Sequence, residues 1–288
     1  KMIDDKGSIT IELCVVLVVI LLILGVVLSS FENTNDKIIK LQEKENIEIL
    51  TSEFVDNLIN NQGVPENWFE YEKATPGLAI VNENGEIIPN SVSYQKLISL
   101  GKNYKQFIDK QQFNSKLHSS MELIPNKRTI SSVKIGSQSD SNNIYSVNRL
   151  VKCDYYKKYV IKDFQNEGKC NQEHKGEYSC NYFKIFKSNL KSSDYYLLID
   201  SDEKYDLKYI IDTTQSKNKN WKLLLSDTIY LNDKINFYDD SDAIVFVHFD
   251  KPNAKAVLVN VSKNFDKNNL KYDYFRTNEC QFILKAWF

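Results

Sequence analysis

From Leu13 to Leu28 no polar residue except Cys14 interrupts an aliphatic run, LCVVLVVILLILGVVL. Those 16 residues span roughly 24 Å as a helix, short of a hydrocarbon core of about 30 Å. Counted from Ile9 the segment has 20 residues and reaches roughly 30 Å, a full span. On that register Glu12 lies inside the apolar zone. A carboxylate there costs about 2.5 to 3.5 kcal/mol at mid-depth and less near an end, so it calls for a partner. The segment therefore constrains the chain to a membrane helix, or to a helix buried among others, followed by whatever the remaining residues fold into.

After Leu28 the helix has no reason to stop, because Ser29 to Asn61 contains neither Gly nor Pro. Ile47, Leu50, Phe54, Val55, Leu58 and Ile59 recur at helical spacing, with Ile38 and Leu41 extending the stripe backwards. Gly63 and Pro65 end it. Next, Leu78–Val81, the turn Asn82–Gly85 and Glu86–Ile88 predict a small hairpin, and Ser93 caps a helix carrying Leu97, Leu100, Tyr104, Phe107 and Ile108. From about Met121 short alternating runs such as YFKIFK, AIVFVHF, KAVLVNV and QFILKAWF predict antiparallel strands. The expected class is α+β: a long N-terminal α-helix packed on an antiparallel β-rich head.

The chain has 288 residues and a net charge of -1, and its only arginines are Arg128, Arg149 and Arg276. That is a poor supply of forked donors for phosphates and bases, and nucleic acid is not expected as a partner. There is no G-x-S-x-G and no Walker A loop, and His118, His174 and His248 stand far apart, so no catalytic residue, enzyme activity or cofactor is expected. Cys153, Cys170, Cys180 and Cys280 form an even set beyond the apolar segment, as two disulfides in an oxidising exterior would require, in any of three pairings. The rival reading, zinc held by Cys153, Cys170, His174 and Cys180, lacks tight C-x-x-C pairs, and no metal is expected. Acidic groups at Asp200, Asp202, Glu203, Asp206 and at Asp239, Asp240, Asp242 read as solvated turns. The groups Tyr155-Tyr156-Tyr159, Tyr195-Tyr196 and Tyr272-Tyr274 serve equally for strand packing or for a surface- or glycan-binding face. Asn260-Val261-Ser262 is a glycosylation sequon.

Three accounts of the N-terminus remain: a secretory signal cut near Ser30, a plain signal anchor, or a leader cut after Gly7 that keeps the apolar helix. The third gives Glu12 its partner, for it becomes the fifth residue behind a new α-amino group at Ser8, and a neighbouring subunit's amine can neutralise it. On Lys6-Gly7, Ser8, the run Ser-Ile-Thr-Ile-Glu ending in Glu12 and the uninterrupted span, the chain resembles type IV pilins, in particular archaeal prepilins with a class III signal peptide. The turn from Gly63-Val64-Pro65 to Trp68 and the step Gly77-Leu78-Ala79 resemble the neck-to-head junction of methanogen pilin-like proteins, although no Gln opens the mature motif.

The resemblance implies a leader (1–7), a transmembrane or filament-core helix (8–28), an amphipathic neck helix (29–62), a hairpin and helix junction region (63–118) and a disulfide-containing head (119–288). It implies processing at Lys6, Gly7 and Ser8, with register set by Glu12. It also implies, as partners, other pilin subunits, a prepilin peptidase, an assembly ATPase, a membrane platform and a possible surface or glycan ligand. The expected location is the cell membrane, with the N-terminus cytoplasmic and the head outside, then a surface filament. The large head favours a minor, tip or adhesive subunit. The alternative is a membrane-anchored extracellular binding protein that never polymerises.

Overall fold

The computed structural model describes residues 4–139, 144–165, 178–213, 220–235, 237 and 242–288, and in the first helix the side chains of 14–26, 28–30, 37, 42 and 44 onward. The chain divides into two compact units, Lys1–Phe54 and Val55–Phe288. Helix α1 (Asp4–Ile59) supplies the first and enters the second with its last residues. Its apolar residues with described side chains run from 14 to 26, with Leu28 beyond. The large apolar side chains described there are 47–67% exposed. Among the described residues no helix is long and apolar enough to cross a membrane.

The second unit is made of strands β1 (Ala79–Val81), β2 (Ile87–Val92), β3 (His118–Pro125), β4 (Val133–Gly136), β5 (Tyr145–Cys153), β6 (Val160–Asp163) and β7 (Ser179–Phe186). They are followed by β8 (Ser193–Ile199), β9 (Lys208–Thr213), β10 (Lys222–Leu223), β11 (Thr228–Tyr230), β12 (Asp242–Phe249), β13 (Ala256–Ser262) and β14 (Asn278–Trp287). A six-stranded sheet has the order β1-β2-β5-β14-β3-β4, and two four-stranded sheets have the orders β10-β9-β12-β7 and β11-β8-β13-β6. One helix, α2 (Tyr94–Lys102), and a six-residue π-helical turn, Lys105–Lys110, lie between β2 and β3.

The class is therefore β-rich, with fourteen strands in three sheets among the described residues, and the α+β expectation of a long helix packed on an antiparallel head is corrected. Two physical reasons account for this. Along the apolar stripe of α1, Leu50 stays exposed, Ile47 and Phe54 are half-buried, and Val55, Leu58 and Ile59 enter the core. The six-stranded sheet is also mixed, because β2 runs parallel to β5, with Ser91 opposite Lys152 and Val92 opposite Cys153. The hairpin of the junction region is thus part of the head's own sheet.

The two smaller sheets enclose one core. Ala243, Val245, Val247 and Phe249 of β12 alternate inward against Tyr195, Leu197 and Ile199 of β8 and Ala256 and Leu258 of β13. Strands β8 and β13 are buried on their other face as well, through Tyr196, Leu198, Val257, Val259 and Val261, which is why they read as continuous apolar runs. The β1–β2 turn forms because Asn82 Oδ1 accepts from the backbone N–H of Asn84 and Glu86, both at 2.9 Å, while Gly85 takes φ +80°.

Candidate functional site

Where α1 ends, the chain enters a junction fixed by backbone bonds. Gly63 takes φ +87°, the left-handed conformation that closes helices. Its N–H donates to Asn61 Oδ1 at 2.8 Å. Leu78 donates to the Leu58 carbonyl at 2.8 Å and Ala79 to that of Asn61 at 2.9 Å, so the helix's unpaired carbonyls are taken up by the step that follows Gly77. Val64 and Thr75 exchange backbone bonds of 2.9 and 3.0 Å. Trp68, fully buried, donates from Nε1 to the Gly77 carbonyl at 2.9 Å and meets Phe107 edge to face with ring centroids 5.2 Å apart.

No side chain fits at Gly77: a Cβ there would lie 2.2 Å from the Gly63 nitrogen and 2.3 Å from the Asn61 oxygen. Lys96 supplies the junction's cation. Its Nζ donates to the carbonyls of Gln62 at 2.8 Å and Ala79 at 3.1 Å, where the C-terminal end of a helix favours positive charge. Burial pushes the Lys96 pKa down, opposed by Glu66 and Asp154. On β5, Arg149 grips Asp56 of the last turns of α1 with both prongs, at 2.7 and 2.9 Å. These contacts attach the helix terminus to the sheet.

The segments Gly63–Trp68 and Gly77–Ala79, singled out by resemblance, are thus brought together. Lys6, Gly7, Ser8 and Glu12 fall on the backbone of α1, and their side chains lie outside the described residues. Cys170 and His174, with Asp239 and Asp240, also lie outside them. Cys153, Cys180 and Cys280 are buried free thiols, so the expected disulfides are not formed among the described cysteines. Register is the reason for the nearest pair. Cys153 stands opposite Asn278 and Cys280 opposite Val151, a diagonal relation. Diagonal neighbours lie about 7–8 Å apart, beyond the about 4.4–6.8 Å between Cα atoms that a disulfide usually spans. Among the described residues no group of three or more His, Cys, Asp or Glu side chains could hold a metal ion.

Asn260 sits within β13, and its Nδ2 donates to the Tyr195 hydroxyl at 3.1 Å. The tyrosine groups are packing residues: Tyr155, Tyr195, Tyr196, Tyr272 and Tyr274 are all buried. Tyr156 sits in an aromatic seam with Tyr94, Phe265 and Phe275, at centroid distances of 5.3, 4.9 and 5.8 Å. Asp200 caps a short turn by accepting from Asp202 N, and Asp206 pairs with Lys251.

Sequence reasoning missed a buried polar cluster at the π-helical turn. Asp109 is 2% exposed. Its Oδ1 accepts from Ser119 Oγ at 3.0 Å, and Ser119 Oγ is 2.9 Å from the Tyr104 hydroxyl. Among the described residues Asp109 Oδ2 has no hydrogen-bond partner, and it lies 3.7 Å from His118 Nδ1. Nothing local marks Asp109, since a helical Asp between Ile and Lys normally faces water. Comparison with protein-family models, curated proteins and solved structures finds no match for this chain.

Proposed function

We propose that this protein is a pilin-like subunit of a surface filament, of the minor, tip or adhesive kind. The apolar helix anchors it before assembly and packs among the helices of other subunits afterwards, with the Ser8 amine of one subunit neutralising Glu12 of the next. One observation carries the reading. The aliphatic side chains from Val15 to Leu28 that the structure describes are exposed to about half or more, an apolar surface that a single chain leaves uncovered.

The first experiment is the N-terminal residue of the mature chain from cell envelopes, by intact mass and terminal peptide sequencing. A chain beginning at Ser8 is the expected result. An N-terminus near Ser30 or an uncut chain would overturn the filament reading. Glu12→Ala should then abolish incorporation into filaments while export stays normal.

The same exposed helix favours a second reading, a single-pass anchored binding protein that never polymerises. Under it, Glu12→Ala changes nothing that depends on other copies of the chain.

A further inference from the structure

The short strand β6 and the turn leading into β14 enclose a cavity of about 390 Å³. Its charged lining residues are Lys157, Asp163 and Arg276, and its apolar ones include Ile161 and Phe275. Arg276 is one of three arginines in the chain. Its guanidinium is fixed from two directions: Nη1 donates to Asp163 Oδ2 at 2.8 Å, and the group lies 5.2 Å from the centre of the Tyr272 ring. The turn itself is pinned by Asn278, whose Nδ2 donates to the carbonyls of Asp273 at 2.6 Å and Arg276 at 3.0 Å. A guanidinium has five N–H donors. Among the described residues only Asp163 takes a hydrogen bond from this one, so Nε and Nη2 are left without a protein acceptor. Lys157, exposed at the same cavity, makes no side-chain hydrogen bond or ion pair among the described residues.

We infer that this cavity binds a carboxylated sugar, a uronic-acid residue of an acidic polysaccharide. Two cations against the single Asp163 of the lining favour an anionic ligand. The free edge of a preoriented guanidinium matches the two oxygens of a carboxylate. Val160 and Ile161 supply apolar wall for the C–H faces of a sugar ring, and the polar rim suits its hydroxyls. The inference extends the proposed surface-binding role of the head, yet it rests on residues far in sequence from Glu12. A Glu12→Ala chain should therefore bind with unchanged affinity, so the two proposals fail separately.

The test is calorimetric titration of the full chain in detergent micelles with a galacturonic acid trisaccharide and, in parallel, with the neutral galactose trisaccharide. A galactose 6-sulfate and a short peptide ending in a free carboxylate complete the set. Binding of the galacturonate alone, weakening as salt is raised, is expected. Arg276→Lys keeps a cation beside Asp163 and loses the fork, and should weaken binding about tenfold. Lys157→Ala, at an exposed position that folding does not need, should weaken it by up to about fivefold. No binding, equal binding of the neutral sugar, or indifference to both variants would overturn the assignment. Binding of the sulfate or the peptide as tightly as the galacturonate would overturn the choice of a carboxylated sugar.

Discussion

Arg149 donates from Nε and Nη2 to the two carboxylate oxygens of Asp56, at 2.7 and 2.9 Å, joining residues 93 positions apart. The bond from Arg149 holds the Asp56 pKa below 3.8, against a smaller opposing effect of burial. A carboxyl depressed in the folded chain contributes stability that is present in full above the unfolded value. That contribution is lost as pH falls through the lower folded value. Half of the Asp56 side chain is exposed, so solvent screening limits the pair to about 0.2–1 kcal/mol. Asp56→Asn should lose that amount at pH 7 in denaturant melts, and the gap to the unaltered chain should close near pH 2. A gap of the same size at both pH values would show that the substitution acts through packing.

Gly77 and Gly85 should respond very differently to alanine. At Gly77 the new Cβ meets backbone atoms of Asn61 and Gly63, which cannot swing aside. Gly77→Ala should cost at least about 3 kcal/mol or prevent folding. At Gly85 there is open space, and only φ +80° opposes a side chain. Gly85→Ala should cost about 1–2 kcal/mol. Equal midpoints for the two variants would mean that the junction yields.

Ser119 links Tyr104 to Asp109, and its hydroxyl is the only side-chain donor to the buried carboxylate among the described residues. Ser119→Ala leaves that carboxylate oxygen unsatisfied and should cost about 1–3 kcal/mol. Ser119→Thr keeps a hydroxyl and should recover much of the loss. If the alanine and threonine variants melt alike, the hydrogen bond is not the cause.

Cys153 and Cys280 should stay reduced and unreactive in the folded chain. Burial pushes both thiol pKa values up, the Tyr155 contact opposing this at Cys280, and little thiolate is available to an alkylating agent. Iodoacetamide followed by peptide mass mapping should leave both unlabelled in the native protein and label both in denaturant. A mass two hydrogens lower on a Cys153–Cys280 peptide pair would refute the free thiols.

Asn260 should carry no glycan despite its sequon. Its amide is bound to the Tyr195 hydroxyl in the interior strand of a four-stranded sheet, between β8 and β6. Intact mass of the surface-extracted chain checks this, and a glycan mapped to Asn260 would show that modification precedes closure of that sheet.

Local chemistry was legible and long-range closure was not. The Asn82–Gly85 turn places β1 and β2 correctly, because Asn82 and Gly85 specify it without help from the rest of the chain. The alternation in AIVFVHF and the apolar run KAVLVNV mark β12 and β13 in the same way. The stripe Ile47 to Ile59 has a helical period, but a period records only which residues share a side and not what covers it, and here Leu50 remains exposed. Helix α2 stops at Lys102, and the residues carrying Phe107 and Ile108 wind into a π-helical turn with nothing in their spacing to signal it. The parallel pairing of β2 with β5 depends on segments some sixty residues apart, and the cysteines were counted before their register could be known. At the junction Gly63, Trp68 and Gly77 were marked in advance, while Asp56, Arg149 and Lys96 look in sequence like ordinary surface charges.

Strand β14 comes last in the sequence order of the strands and lies third from the β4 edge of the six-stranded sheet, bonded to β5 on one side and β3 on the other. During synthesis those two strands have no common partner until residues 278–287 leave the ribosome, so this sheet closes in a single late step. A chain exported as it is made would cross the membrane before that step and complete its largest sheet on the far side. Loss of the final ten strand residues would therefore split the six-stranded sheet into two fragments, β1-β2-β5 and β3-β4, each with a newly open edge.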